Sequence, residues 1–257
     1  MADIIIQGGL YPSTLTAANE YSRHDMIENV IVSTWEGEHI NIRPEKNVQF
    51  IQNQKPDYVG PGNLNLHLLS TRNGLKHCKS DTIIKIRSDE IMHRDSITTW
   101  LNFYKNNKKL KTKNYLDGTQ QKTKIHVIAA NINYPYHLQD HVYIGHPDDL
   151  NKLFNMPFSH KPPIGPEPVD FSFHLRNPIY IGANYYSLFF EEAQNHLKSP
   201  EKYLLDNAPN FKDALQFYLS KIDEVFLPLP RVKLWWEKFN TEYWWDGYAN
   251  SGDRYAN

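Results

Sequence analysis

The chain has 257 residues, 40% of them hydrophobic and 22% charged, which is enough to build a sizeable core in one large domain. A formal net charge of -1 gives no reason to expect a general polyanion binder, so nucleic acid is not an expected partner. The single cysteine, Cys78, excludes an intramolecular disulfide framework and any multi-cysteine metal site, and no apolar run approaches the ~18 residues of a membrane span.

"DIIIQGG" opens the chain as a short apolar run closed by glycines, the pattern of a central strand. Because that strand starts almost at once, no signal peptide is expected, and the expected compartment is reducing and cytoplasmic. Residues 14–24 predict a helix, "NVIVSTW" (29–35) a second strand and "NVQFIQN" (47–53) a third. "GPGN" (60–63) breaks the chain and starts a helix, with Leu64, Leu68, Thr71, Leu75 and Cys78 on one stripe. "DTIIKIRSD" (81–89) reads as the next strand. Ile97, Trp100, Leu101 and Tyr104 then mark a helix capped by Asp95 or Ser96. Strands interspersed with helices in this way are the grammar of an α/β sheet with helices on its faces.

Residues 105–124 carry seven lysines and read as a solvated insertion, with some attraction for an anionic surface such as a membrane at its periphery. "KIHVIAANI" (124–132) and "DHVYIGH" (140–146) are further strands, and "PDDLNKLF" (147–154) is a short helix. Five prolines between 157 and 168 predict a stiff irregular loop, after which the character changes. Two helical stripes follow, from Leu188 to Leu197 and from Phe211 to Phe226, and then an unusually aromatic tail. This divides the chain into an α/β part, 1–156, and a helical, aromatic-rich part, 157–257, of the same domain. The aromatics, 13% of residues, suit a carbohydrate-handling surface, although packing accounts for most of them.

The strand ending in "IIKIRSDE" carries the chemistry. It closes on Arg87, Ser88, Asp89 and Glu90, with neither the Gly nor the Asn that a hairpin turn prefers. Strand tips in open α/β sheets are where ligands bind. Asp89 there could ligate Mg²⁺ or Mn²⁺, and Arg87 could pair with a phosphate or with the carboxylate itself. A surface turn held by an Arg–Asp pair would also account for those residues. No GxxxxGK[ST] loop is present, and "QGG" lacks the third glycine of a dinucleotide fingerprint.

Several ordered pieces of the chain resemble the WavE-type lipopolysaccharide-synthesis proteins, a family regarded as GT-A glycosyltransferases. "IIIQGGL" resembles the opening strand and its Gln-Gly turn. "NVIVSTWEGE", "GPGNLNLHLLSTRNGL" and "IIKIRSDE" are similar to the next three blocks. "QDHVYIGHPDDLNKLF" and "SPEKYL" resemble two later ones, so the likeness covers about residues 3–205. It implies a GT-A-like, Rossmann-like mixed sheet flanked by helices, with an irregular helical C-terminal region. The implied activity is transfer of a sugar from a nucleotide-sugar donor to a glycan or glycolipid acceptor. The rival readings are a nucleotidyltransferase that makes the nucleotide-sugar and a non-catalytic glycan-binding protein.

The resemblance also implies roles. Gln7, Gly8 and Gly9 would stand at the nucleotide end, with Thr34 and Asn65 as polar contacts to base or ribose. Asp89, alone or through Mn²⁺ or Mg²⁺, would hold the diphosphate with Arg87. The chain departs from the family pattern twice. Leu66-His67 stands where Arg-Gln is expected, which makes Arg72 the substitute candidate. Arg87-Ser88-Asp89 stands where GT-A enzymes commonly carry Asp-x-Asp. Glu201, opening a helix after Pro200, is the first candidate for general base, and Asp140 the second.

Overall fold

The structure is a computed structural model that describes residues 1–39, 43–108, 111–131, 133–160, 177–205, 207–229, 232–236, 241–245 and 248–249. The first half follows the order that the sequence predicts: β1 (Ala2–Gln7), α1 (Pro12–Ser22), β2 (Ile27–Trp35), β3 (Val48–Asn53), a single 3-10 turn, α2 (Leu64–Leu75) and β4 (Ile83–Arg87). All six residues of β1 are buried, which is why that strand is a continuous apolar run and does not alternate with polar residues. β5 (Glu90–Met92) and α3 (Arg94–Asn107) follow. α3 begins with His93 at its N-cap, leaving Asp95 in the first turn, where its charge suits the helix N-terminus.

The chain continues with β6 (Ile125–Val127), β7 (Ala130–Asn131), β8 (Val142–Gly145) and α4 (Pro147–Phe154). Among the described residues, α5 (Asn177–Ser187), α6 (Glu191–Lys198), α7 (Pro200–Tyr203) and α8 (Phe211–Val225) follow. The chain then returns to strand in β9 (Phe226–Pro228), β10 (Val232–Trp236), β11 (Thr241–Trp245) and β12 (Tyr248–Ala249).

Seven strands form the central sheet in the order β3-β2-β1-β4-β8-β6-β9. β1 pairs parallel with β2 and β4, whereas β8 runs antiparallel to both β4 and β6. The sheet is therefore mixed, flanked by helices on both faces. Alternate residues of each strand feed two cores. Ile5 and Ile83 pack with α2, α4, α5 and α8, while Ile4, Ile6, Ile84 and Ile86 pack with α1 and α3. Gly182 of α5 lies against the Tyr136 backbone so closely that a Cβ would stand 1.9 Å from the carbonyl oxygen. A glycine is required there.

Two expectations change. The aromatic tail contributes strands: β10 and β11 pair antiparallel, and β10 continues onto β5, with Trp235 opposite Ile91 and Trp236 opposite Glu90. Residues 111–121 are more than a solvated insertion, because Tyr115 and Gln121 are buried. The Tyr115 hydroxyl donates to Asp149 Oδ1 at 2.8 Å and lies 3.0 Å from the Tyr185 hydroxyl. His137 and His141 are buried as well. Most of the proline-rich loop, from 161 onward, lies outside the described residues. No helix among those residues is long and apolar enough to cross a membrane.

Candidate functional site

The strand order reverses at β1. The chain runs outward through β2 and β3, then returns to place β4 on the other side of β1. The crevice beyond the carboxyl ends of β1 and β4 is thus a topological switch point, the place where open α/β sheets bind ligands. Gln7 and Arg87, the last residues of these strands, are register partners. A cleft of about 170 Å³ opens there, lined by Gln7, Gly8, Gly9, Arg87, Ser88 and Asp89 from the two tips and by Asp140. Tyr11, Trp35, Leu66, His67 and the turn residues Gly62 and Asn63 complete its wall.

Backbone and side-chain bonds fix the tips. Gly8 has φ +123°, and a Cβ on it would meet Ser88 Oγ at 2.6 Å, so β1 and β4 close on each other only with glycine there. Ser88 N donates to the Gln7 carbonyl at 2.9 Å, and Thr14 Oγ1 of α1 donates to the Ser88 carbonyl at 2.9 Å. Ser70 Oγ of α2 donates to Gln7 Oε1 at 2.9 Å. Glu38 accepts from Leu10 N at 2.9 Å and also from the Thr34 hydroxyl, bracing the loop after β1.

The charged groups form one cluster. Arg87, 25% exposed, donates from Nε and Nη2 to the two oxygens of Asp89, at 2.9 and 2.8 Å. Its Nη1 lies 3.7 Å from Asp140 Oδ1. Burial works against the Arg87 charge, but Asp140, Asp89 and Glu90 outweigh it. Burial alone would likewise raise Asp140, whose side chain is 14% exposed; Arg87, foremost among its neighbours, overcomes it and holds the carboxyl well below its ordinary value.

His67 Nδ1 lies 3.6 Å from Asp140 Oδ2, a distance that would suit an imidazolium. Burial, then Lys85, prevails over that carboxylate and keeps the ring neutral. Its Nε2 has no hydrogen-bond partner among the described residues. Beneath them, buried Lys85 donates from Nζ to the Asp140 carbonyl at 2.6 Å. His141 bonds Glu90 through Nδ1, so the residue after Asp89 is tied to the residue after Asp140.

The sequence candidates divide. Gln7, Gly8, Gly9, Arg87, Asp89 and Asp140 converge on the cleft. Thr34, Asn65, Arg72 and Glu201 are not among the residues lining it. Thr34 is buried against Glu38. Asn65 ties α2 to the loop beyond α4, donating to the Tyr58 and Ser159 carbonyls at 2.9 and 2.7 Å and accepting from Ser159 N at 2.8 Å. Arg72 donates to the Phe154 carbonyl at 2.6 Å and to that of Met156, with its guanidinium 4.6 Å from the Phe158 ring centroid. These are structural bonds at the C-terminal end of α4, where cations are favoured. Glu201 opens α7, which packs between α6 and α8.

Sequence reasoning missed Trp35, Tyr11 and His67. A signal for Trp35 existed: it ends β2, which is parallel to β1, and parallel strands bring their carboxyl ends to one edge of the sheet.

No protein of curated function matches the chain by sequence. Among solved structures, the galactosyltransferase LgtC in complex with donor and acceptor sugar analogs is similar at 12% identity and TM-score 0.36, over 57% of this chain and 58% of that one. The glucosyl-3-phosphoglycerate synthase of Mycobacterium tuberculosis, in complex with Mn²⁺, UDP and phosphoglyceric acid, matches at 11% identity and TM-score 0.36, over 59% and 57%. The CMP:2-keto-3-deoxy-manno-octonic acid synthetase complexed with CTP matches at 13% identity and TM-score 0.36, over 62% and 79%. The chain thus spans less than two thirds of the first two. The family match is of another kind: the WavE lipopolysaccharide synthesis family aligns with residues 23–179, well over half of the chain. The protein belongs to the WavE lipopolysaccharide synthesis family.

Proposed function

We propose that the protein transfers a sugar from a nucleotide-diphosphate sugar to a lipopolysaccharide or other glycan acceptor. The observation that carries this reading is the cleft at the switch point, where a guanidinium and a carboxylate on separate elements face one another across 3.7 Å. The two groups suit the two demands of the reaction. Arg87 offers a charge-assisted fork to the donor diphosphate. Asp140, kept ionised, accepts the proton of the attacking hydroxyl. The glycines after β1 let the donor approach the backbone, and Trp35 and Tyr11 provide aromatic walls at the same end. The acceptor would enter on the side where β10 extends β5 next to Asp89.

Asp140 takes the role of base ahead of Glu201, because it lines the cleft and Glu201 does not. A nucleotidyltransferase would need Lys or Arg in the loop after β1 to hold a triphosphate. Here that loop is Gly8-Gly9-Leu10-Tyr11, and its Leu10 amide is already given to a carboxylate.

Two product assays run side by side separate these activities. Nucleotide-sugars plus a lipopolysaccharide acceptor should release nucleoside diphosphate. Nucleoside triphosphates plus sugar 1-phosphates should release no pyrophosphate. Pyrophosphate release without nucleoside diphosphate would overturn the reading. A bound donor should also raise stability, by about 2.7 kcal/mol at a hundred times its Kd.

A further inference from the structure

The strand tip that would receive a metal is already engaged with a cation. Both oxygens of Asp89 accept from Arg87, and Asp140, the other Asp or Glu lining the cleft, stands 3.7 Å from the same guanidinium. Mg²⁺ and Mn²⁺ bind through oxygen, and carboxylates held by a guanidinium are both shielded and beside a like charge. Among the described residues no group of three His, Cys, Asp or Glu side chains is placed to hold a metal ion. The donor set at this tip therefore does not fit a resident divalent ion.

The same geometry supplies an alternative. A guanidinium presents five N–H donors in a fixed fork that matches phosphate as well as carboxylate, and Asp89 takes two of them. Asp89 thus holds Arg87 at the end of β4, in the lining of the cleft.

We propose that Arg87 is itself the counter-cation of the donor diphosphate: on binding, phosphate oxygens take over hydrogen bonds that Asp89 accepts in the free protein, and no divalent ion is required. This rests on the nucleotide-sugar reading above. In the transfer step the acceptor oxygen forms its bond to the anomeric carbon, and its proton passes to Asp140. The bond from that carbon to the diphosphate breaks, its electron pair stays on the departing phosphate oxygen, and the Arg87 donors stabilise the charge developing there.

The proposal reverses the expected sign of one substitution. If Asp89 ligated a metal, Asp89→Asn would weaken donor binding. If Asp89 competes with the diphosphate for Arg87, Asp89→Asn binds at least as tightly as the unaltered chain. The experiment is isothermal titration of the full chain with UDP, with GDP and with inorganic pyrophosphate, which needs no base recognition. Each titration is run in EDTA and again in Mn²⁺, and circular dichroism confirms that each variant is folded. The expected result is binding in EDTA that Mn²⁺ does not improve, undiminished in Asp89→Asn. Arg87→Lys keeps the charge but loses the fork, and should weaken binding by about tenfold, the loss of one charged hydrogen bond. Binding that appears only with Mn²⁺, or that collapses in Asp89→Asn, overturns the proposal while leaving the transferase reading intact. Absence of binding by every ligand in both conditions removes the transferase reading, and the proposal with it. If Arg87→Lys does not fold, the EDTA comparison and Asp89→Asn decide the matter.

Discussion

Raising the pH from neutrality to about 8.5 should stabilise this protein, and Lys85 is the reason. Its side chain is 0% exposed in the middle of β4. Its Nζ donates to the Asp140 carbonyl at 2.6 Å and lies 5.6 Å from the centroid of the Tyr143 ring. Burial, only partly offset by Asp140, brings the ammonium down from 10.5 to about 7. The unfolded chain keeps that proton until the pH nears 10.5, so between the two values it binds more protons than the folded chain. Stability therefore rises with pH through this window, with a limiting slope of about 1.4 kcal/mol per unit. Starting from half-deprotonated Lys85, the gain between pH 7 and 8.5 is about 1.5 kcal/mol. Cys78 acts in the opposite sense above its unfolded value of 9, because burial and Asp3 push its thiol up; the window ends below that point. The assay is guanidinium unfolding across the window, for the unaltered chain and for Lys85→Met. The midpoint of the former should climb at constant m, and that of the variant should stay level. A level or falling midpoint in the unaltered chain, or an equal climb in Lys85→Met, refutes the reasoning.

Asp140→Asn should lower turnover by about 10²–10⁴-fold, while Glu201→Gln leaves it nearly unchanged; steady-state kinetics with saturating donor distinguishes the two. Gly182→Ala puts a methyl 1.9 Å from the Tyr136 carbonyl oxygen, and should cost about 1–3 kcal/mol, read as a lower melting temperature. His126 is held neutral in the fold, where burial lowers it to about 4. The unfolded chain takes up a proton there below 6.5, so stability falls as the pH drops from about 6.5 toward 4, by about 3 kcal/mol in all. His126→Phe should flatten that decline in acid-unfolding curves.

Much of the α/β half is legible in the sequence, because strands covered on both faces are continuous apolar runs. "DIIIQ" and "NVIVSTW" announce themselves in this way, and the glycines after the first mark its tip. Other features depend on partners remote in sequence. The stretch "LWWEKFNTEYWW" pairs with itself as β10 and β11, but nothing local in it says that β10 also adds to β5. Arg72 reads in the sequence as the substitute for the missing family arginine because it stands six residues on in the same helix. It instead points to the carbonyls ending α4, an encounter that only the packing of α2 on α4 creates. Asn65 is similar: a polar side chain at a helix start can serve a ligand or a loop, and here the loop claims its oxygen and its nitrogen.

The decisive hidden element is the direction of β8. If strand–helix alternation ran through a wholly parallel sheet, the residues just before a strand would lie at its amino end, across the sheet from the cleft. Asp140, two residues ahead of Val142, would then be remote from any chemistry at the tip of β4. The observed register pairs Val142 with Ile86 and Gly145 with Ile83, antiparallel. The chain therefore enters β8 at the edge where β4 ends, and brings Asp140 and His141 beside Arg87, Asp89 and Glu90. One reversed strand thus places a carboxylate opposite the guanidinium, a juxtaposition that neither "RSDE" nor "QDHVYIG" discloses alone. It also explains why Lys85 is tolerated inside β4: the backbone leading into β8 lies over it and offers the Asp140 carbonyl as its acceptor. A buried ammonium there is costly by itself, and it persists where its hydrogen bond also fixes the backbone of the residue proposed to accept the proton.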